Sequence, residues 1–174
     1  MSRTIYTING KTFPALPKKA PKNLMICGSR DASPRMLSFA RYCTLKVLAM
    51  DKMNVHVLVG DAHGIDEEVV RTCMTWGIPF TCCGIAQNPR NGATRQHYQR
   101  IISTTNTYAD KYRERDQFLV GQADFVICIS NGEERRANGQ LTGTLTVHEY
   151  AKSLGKQVHL RTFRETEVLT PTFS

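Results

Sequence analysis

The sequence predicts an α/β fold, a Rossmann-like three-layer sandwich with a mostly parallel sheet, helices on both faces and an N-terminal β-hairpin. Three observations predict it: near-continuous apolar runs recur along the chain, segments with helical spacing follow them, and glycine stands where several runs end. Strands buried on both faces have this apolar character, and their alternation with helices is typical of a covered parallel sheet. At 174 residues, with 41% hydrophobic and 22% charged residues, the chain is most simply one domain.

The first 22 residues are predicted to be an appendage to a single domain at 23–174. The stretch TIYTINGKTF alternates around Asn9-Gly10, a strong signal for a β-hairpin, and a lead-in rich in proline and lysine follows. The N-terminus lacks the apolar stretch of a signal peptide, and no apolar run approaches the ~20 residues of a membrane helix. We therefore expect a cytoplasmic protein with no membrane partner.

The domain itself is predicted to alternate strands and helices. Apolar runs predict strands at 23–28, 55–60, 79–85, 123–130 and 156–163. Apolar residues at helical spacing predict helices at 33–50, 65–77, 110–122 and 144–154. Ser33 and Pro34 are the residue types expected at the cap and first turn of the first helix.

The polar segment 86–112 shows no clear pattern, with at most one helix near 93–102. A stretch of this length without secondary structure is usually functional within a compact domain. We expect a loop or short helix that folds over a ligand, with Asn91, Arg95 and Arg113 as candidate phosphate contacts.

The six cysteines are predicted to be structural. They stand in apolar strand-like runs or on apolar helix faces, and no pair has the C-x-x-C spacing of a zinc or redox site. No His, Asp or Glu pair at helical ligand spacing has a third partner nearby, so no metal is expected. The same sequence suggests no required cofactor.

Glycines mark the ends of several predicted strands. In a parallel sheet ligands bind outside the carboxyl ends of the strands, which selects the loops 28–33, 60–64, 85–92 and 130–143. The stretch VGDAHGID contains Gly60 and Gly64 followed by Asp66 in the first turn of a helix. Two interpretations are open: the glycines leave room for a phosphate on the helix N-terminus, or they make a tight turn that Asp66 caps.

Two further loops have similar features. CGSR offers a hydroxyl and a guanidinium directly after the first strand, and Gly143-Thr144 opens the last long helix. Neither the P-loop pattern nor G-x-G-x-x-G occurs, so no motif supports a kinase or a dehydrogenase.

The order ICGSR, VLVGDAHGIDEEVVRTC and RERDQFLVGQADFVICISNG, followed by TGTLTVHEYAKSLGKQV, resembles the SLOG superfamily. This Rossmann-like group includes LOG cytokinin-activating enzymes, DprA and the YspA-type proteins, and the chain is most similar in appearance to the last. The resemblance covers 23–161. It implies a nucleotide-type ligand at Gly28, Ser29, Arg30, Gly60, Ala62, Gly64, Asp66, Arg115, Asp116, Asn131, Gly132, Gly143 and Thr144. Asp61 and Ile65 of the same glycine element, with Arg95 and Arg113, complete the candidate binding residues.

The resemblance departs from the LOG enzymes at their catalytic motif, P-G-G-x-G-T-x-x-E. The position three after Thr144 is Val147, and the nearest acid is Glu149. Catalysis is therefore left open, with Asp66, Asp116 and Glu149 as candidate catalytic residues.

Three functions fit the residues and the net charge of +8. The first is a binding or sensing module for a nucleotide such as AMP, ADP-ribose or an NAD-like molecule. The second is an N-glycosidic-bond hydrolase or transferase, similar to a nucleotide phosphoribohydrolase or a nucleoside deoxyribosyltransferase, which needs a carboxylate near the anomeric carbon. The third is single-stranded nucleic-acid binding by the basic segment 90–115, with Tyr98, Tyr108 and Tyr112 as stacking residues. The resemblance also implies a homodimer or higher homo-oligomer.

Overall fold

The computed structural model describes residues 6–8, 11–13, 23–50 and 54–164. At the N-terminus β1 (Tyr6–Ile8) and β2 (Lys11–Phe13) pair antiparallel, which confirms the predicted hairpin. The turn residues Asn9-Gly10 and the lead-in at 14–22 lie outside the described residues.

A parallel sheet forms the centre of the domain. Within the described residues its six strands are β3 (Asn23–Gly28), β4 (His56–Gly60), β5 (Phe80–Gly84), β6 (Tyr98–Arg100), β7 (Phe125–Ser130) and β8 (Gln157–Thr162). They lie in the order β6-β5-β4-β3-β7-β8: the chain enters at β3, winds outward to β6, and returns to place β7 on the other side of β3. Strand order therefore reverses between β3 and β7.

Helices cover both faces of the sheet, which confirms the predicted three-layer architecture. The four that the structure describes are α1 (Pro34–Ala49), α2 (Ile65–Trp76), α3 (Tyr108–Gln122) and α4 (Gly143–Ser153). The helices α1 and α2 pack in one core cluster, and α3 and α4 pack in the other. Ser33 caps α1 as expected, since its hydroxyl accepts a hydrogen bond from the backbone N–H of Met36.

Alternation along the strands divides the core between the two faces. Cys82 lies in the cluster with α1 and α2, whereas its neighbour Cys83 lies in the cluster with α3 and α4, because successive strand side chains point to opposite faces. All six cysteines are buried free thiols, as the structural interpretation expects.

The prediction for the segment 86–112 is wrong in one part. The 3₁₀ helix at Arg95–His97 falls within the stretch 93–102 where a short helix was expected. It leads into β6, which pairs with β5 at the edge of the sheet and which the sequence did not predict. Gln99 and Arg100 of this short edge strand are exposed. An edge strand that buries so little needs no apolar run, so its sequence shows no strand pattern.

Candidate functional site

A cavity opens at the carboxyl ends of β3 and β7, where the strand order reverses. We call it the switch-point cavity, and its volume is about 400 Å³. This is the position at which doubly wound α/β sheets bind ligands. The candidate residues that line it are Gly28, Ser29, Arg30, Gly60, Ala62, Asp66, Arg115, Asp116, Asn131, Gly143 and Thr144.

Hydrogen bonds between loops hold the rim of this cavity. The Ser29 hydroxyl accepts from the backbone N–H of Asn131 at 2.9 Å, and the Asn131 amide donates to the carbonyl of Asp31 at 3.1 Å. On the other side, the backbone N–H of Ile65 donates to the carbonyl of Ser29 at 3.2 Å. The loop after β3 is therefore fixed by α2 and by the loop after β7.

The two glycines of VGDAHGID bring protein groups close together. Gly64 has φ of +76°, and an added Cβ would collide with the carbonyl oxygens of Ser29 and Arg30. At Gly60 an added Cβ would lie 2.6 Å from Oδ2 of Asp66 and 3.1 Å from the Arg115 guanidinium. The expected positive φ and close approach are confirmed at Gly64. The atoms that approach are the protein's own, as in the tight-turn interpretation.

A buried charge cluster of Asp61, Arg90, Arg115 and Asp116 lies beside the cavity. Asp61 is fully buried, and its Oδ1 accepts from Arg90 at 2.7 Å and from Arg115 at 2.8 Å. Two other nitrogens of Arg115 donate to Oδ1 of Asp116 at 2.8 and 3.0 Å. The Tyr112 ring lies 4.3 Å from the Arg90 guanidinium carbon and 4.9 Å from that of Arg115. Arg115 therefore pairs with two carboxylates, of which Asp116 lines the cavity and Asp61 lies behind its lining.

Asp66 is the buried acid that accepts the fewest hydrogen bonds at this site. Only 3% of the residue is exposed; Oδ2 accepts from the backbone N–H of Ala62 at 3.3 Å, and Oδ1 has no hydrogen-bond partner among the described residues. Burial raises the pKa of the Asp66 carboxyl to about 7, and the Arg115 guanidinium offsets only part of this rise. A carboxyl with such a pKa can hold a proton near neutral pH and donate it to a ligand atom.

The N-terminus of α4 faces the same cavity. The first N–H groups of a helix have no intrahelical acceptor, and the cap residue Thr142 makes no side-chain bond to those of Gly143 and Thr144. The next turn is closed, since the N–H of Thr146 donates to the carbonyl of Thr142. Nη2 of Arg136 would lie 3.6 Å from a Cβ added at Gly143. Arg30 also lines the cavity, and neither guanidinium donates a hydrogen bond within the described part of the chain. Free N–H groups at a helix start together with arginines are suited to bind an anion.

Several candidate residues do not reach the cavity. Glu149 lies on α4 with an exposed side chain beside His148, six residues after the helix start and so about 9 Å along its axis. Arg95 donates to Asn88, and Arg113 pairs with Asp110 at 3.2 Å. The prediction that these three residues belong to the site is therefore corrected, because each lies on the surface and contacts a neighbouring side chain.

Other predicted residues support the site from outside its lining. Asp61 and Ile65 are fully buried, and Gly132 lines a neighbouring cavity. Asn91 donates to the carbonyls of Gly60 and Ala62, so it fixes the glycine loop, whereas a phosphate contact was expected. The loop 85–92 follows β5, two strands away from the switch point, and this position keeps it out of the cavity.

Sequence reasoning missed the lining residues Asp31, Arg136 and Thr142, and it named Tyr112 only as a stacking residue for single-stranded nucleic acid. Most of them stand in the loops after β3 and β7, which the rule on strand ends had already selected. Tyr112 precedes Arg115 by three positions on α3, a spacing that places two side chains on one helix face.

The basic and aromatic segment 90–115 engages mainly its own protein. Tyr98 donates to the carbonyl of Ala86 at 2.6 Å, and Tyr112 is 8% exposed with its hydroxyl 3.0 Å from that of Tyr108. Arg90 and Arg115 are held by Asp61. Of the three candidate stacking residues, Tyr108 is exposed, whereas Tyr112 is buried and Tyr98 is half-buried, so they do not form a row of exposed rings.

Among the described residues no group of three or more His, Cys, Asp or Glu side chains is arranged to hold a metal ion. None of their helices combines the length and the apolar character that crossing a membrane requires.

Comparison with known proteins shows the fold. No family model and no curated protein matches the chain. DprA from Helicobacter pylori, studied for its single-stranded DNA binding mode, is similar in structure with a TM-score of 0.61 and 12% identity, over 80% of this chain and 65% of that one. DprA from Streptococcus pneumoniae has a TM-score of 0.56 and 15% identity, over 79% of this chain and 49% of that one. The chain thus spans between half and two thirds of these DprA chains.

The similar structures also include the molybdenum cofactor carrier protein of Chlamydomonas reinhardtii. Its TM-score is 0.54 with 16% identity, over 82% of this chain and 78% of that one. Together these likenesses confirm the Rossmann-like fold that the sequence predicted, and they show that it is similar to the fold of DprA. At such identities they describe the fold alone.

Proposed function

We propose that this protein is a cytoplasmic binding or sensing module for a nucleotide or nucleotide-derived ligand such as AMP, ADP-ribose or an NAD-like molecule. The observation that carries the proposal is the open start of α4 in the switch-point cavity. Its first N–H groups lack intrahelical acceptors, and Arg136 lies beside them at Gly143. Arg30 lines the same cavity, and neither guanidinium has a hydrogen-bond partner in the described chain. A phosphate group fits this combination.

Two acids of the cavity, Asp116 and Asp66, oppose an anionic ligand only weakly. Asp116 accepts two hydrogen bonds from Arg115, which balances its charge. Burial raises the pKa of Asp66 to about 7, so this carboxyl carries a full negative charge only above neutral pH. Arg30 and Arg136 add positive charge to the lining, whereas the exposed carboxylates of Asp31 and Glu133 add negative charge. The phosphate is therefore expected at the N–H groups of the α4 start, beside Arg136.

The size of the cavity favours a small molecule. A volume of about 400 Å³ falls within the range of roughly 300–1,000 Å³ found for ligand pockets. The solved structures with this fold include a single-stranded DNA-binding protein and a cofactor carrier, so binding functions occur on this fold. We therefore favour a binding module over a chain with a purely structural role.

The test compares ligand affinities of paired arginine variants by isothermal titration calorimetry. For Arg136→Ala we expect AMP and ADP-ribose affinity to fall about tenfold, since a charge-assisted hydrogen bond is lost. Arg135→Ala is the matched control, because Arg135 stands next to it and instead donates to the carbonyl of Gly139. If adenosine binds as tightly as AMP, or if the two variants behave alike, the phosphate site is wrong.

A second candidate function is cleavage of an N-glycosidic bond. It is favoured by the unpartnered Oδ1 of Asp66, whose raised pKa suits a general acid at neutral pH. A proton NMR time course with AMP, NAD and ADP-ribose would detect the free base. Release by the wild type and its loss in Asp66→Asn would support an enzyme, whereas binding without turnover would leave the sensor.

We also propose that the protein forms a homodimer or higher homo-oligomer. Phe118 on α3 and Leu154 at the end of α4 are exposed apolar side chains on one layer of the sandwich. Light scattering coupled to size-exclusion chromatography measures the mass directly, and a monomer at all accessible concentrations would exclude this proposal.

A further inference from the structure

A second cavity of about 770 Å³ adjoins the switch-point cavity. Asp31, Asn131 and Glu133 line both, so the two are separated only by the loop ends after β3 and β7. The second cavity extends from this junction toward the start of α1 and the end of β8. The residues that form the anion site described above do not line this second cavity.

An aromatic ring and arginines form one wall of the second cavity. Phe163 follows β8, and its backbone N–H donates to the carbonyl of Ser130 at 2.8 Å, which fixes its position. The guanidinium carbons of Arg35 and Arg161 lie 5.9 and 5.0 Å from the centre of the Phe163 ring. The ring also packs on Phe39, with 5.5 Å between centroids, so the exposed guanidinium of Arg35 provides the free stacking surface, and Arg164 also lines the cavity. Planar guanidinium groups and aromatic rings are surfaces on which nucleobases stack.

The junction between the cavities has a different chemistry. The carboxylates of Asp31 and Glu133 are exposed and form neither hydrogen bonds nor ion pairs within the described chain. Carboxylates repel phosphate but accept hydrogen bonds from hydroxyl groups, as acidic residues do with ribose in many α/β folds. Along the surface, the anion site is therefore followed by two acids that can bind hydroxyl groups, and these are followed by the stacking wall.

We propose that the ligand is bipartite, consisting of two nucleosides joined through phosphate. This inference rests on the proposed function. The phosphate and one nucleoside occupy the switch-point cavity, the second ribose lies against Asp31 and Glu133, and the second base stacks beside Arg35 and Phe163. A mononucleotide is too small to use both cavities at once, so the second nucleoside adds affinity.

The experiment measures the affinities of AMP and of two dinucleotides, diadenosine diphosphate and 5′-phosphorylated diadenylate, by calorimetry. We expect at least one dinucleotide to bind about tenfold more tightly than AMP. Arg35→Ala should remove this gain and leave AMP affinity unchanged, because Arg35 is exposed and lines only the second cavity. Arg71→Ala, on the surface of α2, is the control and should change neither affinity.

The outcomes separate this inference from the function on which it rests. If AMP binds and no dinucleotide binds more tightly, or if Arg35→Ala changes nothing, the bipartite ligand is wrong and the phosphate site remains. If none of the three ligands binds, both proposals fail. A series of 5′-phosphorylated oligodeoxynucleotides provides the last arm: affinity that stops rising at two nucleotides supports the inference. Affinity that continues to rise with length indicates single-stranded DNA and overturns it.

Discussion

Arg115 and Asp61, 54 positions apart in the sequence, form a buried ion pair in which Nη1 lies 2.8 Å from Oδ1. The pair joins α3 to the residue that follows β4, and Arg115 also holds Asp116 at the cavity wall. A residue expected to bind phosphate thus has three of its nitrogens occupied by carboxylates. Its first role is to keep buried acids compensated.

This relationship predicts a large loss of stability for Arg115→Ala. Removal of the guanidinium leaves Asp61 with Arg90 alone and Asp116 with no bonded cation, and breaking a buried pair costs about 3 kcal/mol or more. Urea denaturation measures the free energy of unfolding. Arg113→Ala, which breaks an exposed pair with Asp110, should cost less than about 1 kcal/mol. Equal losses in the two variants would contradict the buried-pair interpretation.

Gly64, in the loop before α2, leads to a second prediction about the free energy of unfolding. Gly64→Ala places a Cβ against the carbonyls of Ser29 and Arg30 at a positive φ, whereas Gly77, also at positive φ, has nothing within 4 Å of an added Cβ. Gly77→Ala should therefore cost only the conformational strain, about 1 kcal/mol. Gly64→Ala should cost clearly more in the same denaturation experiment. A difference of zero would show that φ alone requires glycine at Gly64.

The buried acid Asp66 predicts how stability depends on pH. Its folded-state pKa of about 7 lies above the ordinary value of 3.8, so between these values the folded state binds more protons than the unfolded state. The Asp66 contribution therefore destabilises the fold progressively as pH rises from about 4 to 7, by at most about 1.4 kcal/mol per pH unit, and is constant above that. The difference in unfolding free energy between Asp66→Asn and wild type should grow over this range. Parallel pH profiles would place the folded-state pKa near its ordinary value.

The cysteines predict slow thiol chemistry in the native state. All six are buried, and burial raises the pKa of the Cys43 and Cys73 thiols to about 12, so the reactive thiolate is scarce. A chromogenic disulfide reagent should titrate six thiols in denaturant and almost none in the first minutes without it. Rapid reaction of even one thiol in the folded protein would show that a cysteine is accessible.

Particular elements show where sequence patterns succeed and where they fail. The strand at 23–28 and the start of α1 at Pro34 agree with the prediction because burial on both faces and a capping residue leave strong local signals. The edge strand β6 was missed, since its two exposed residues are polar and only its pairing with β5 defines it. Glu149 has a side chain suited to catalysis, but its place along α4, about 9 Å from the helix start, keeps it out of the cavity lining.

Apolar runs, helical spacing and glycines at strand ends established the layered α/β fold and the edge of the sheet at which a ligand would bind. These features are local, so they can be read along the chain. The tertiary structure decided which charges compensate one another: Asp61, Arg90 and Arg115 meet only after β4, the loop after β5 and α3 have packed together. It also decided which arginines remain available to an anion, as Arg30 and Arg136 are. Electrostatic energies depend on distances and burial in space, and neither quantity is contained in the order of the residues.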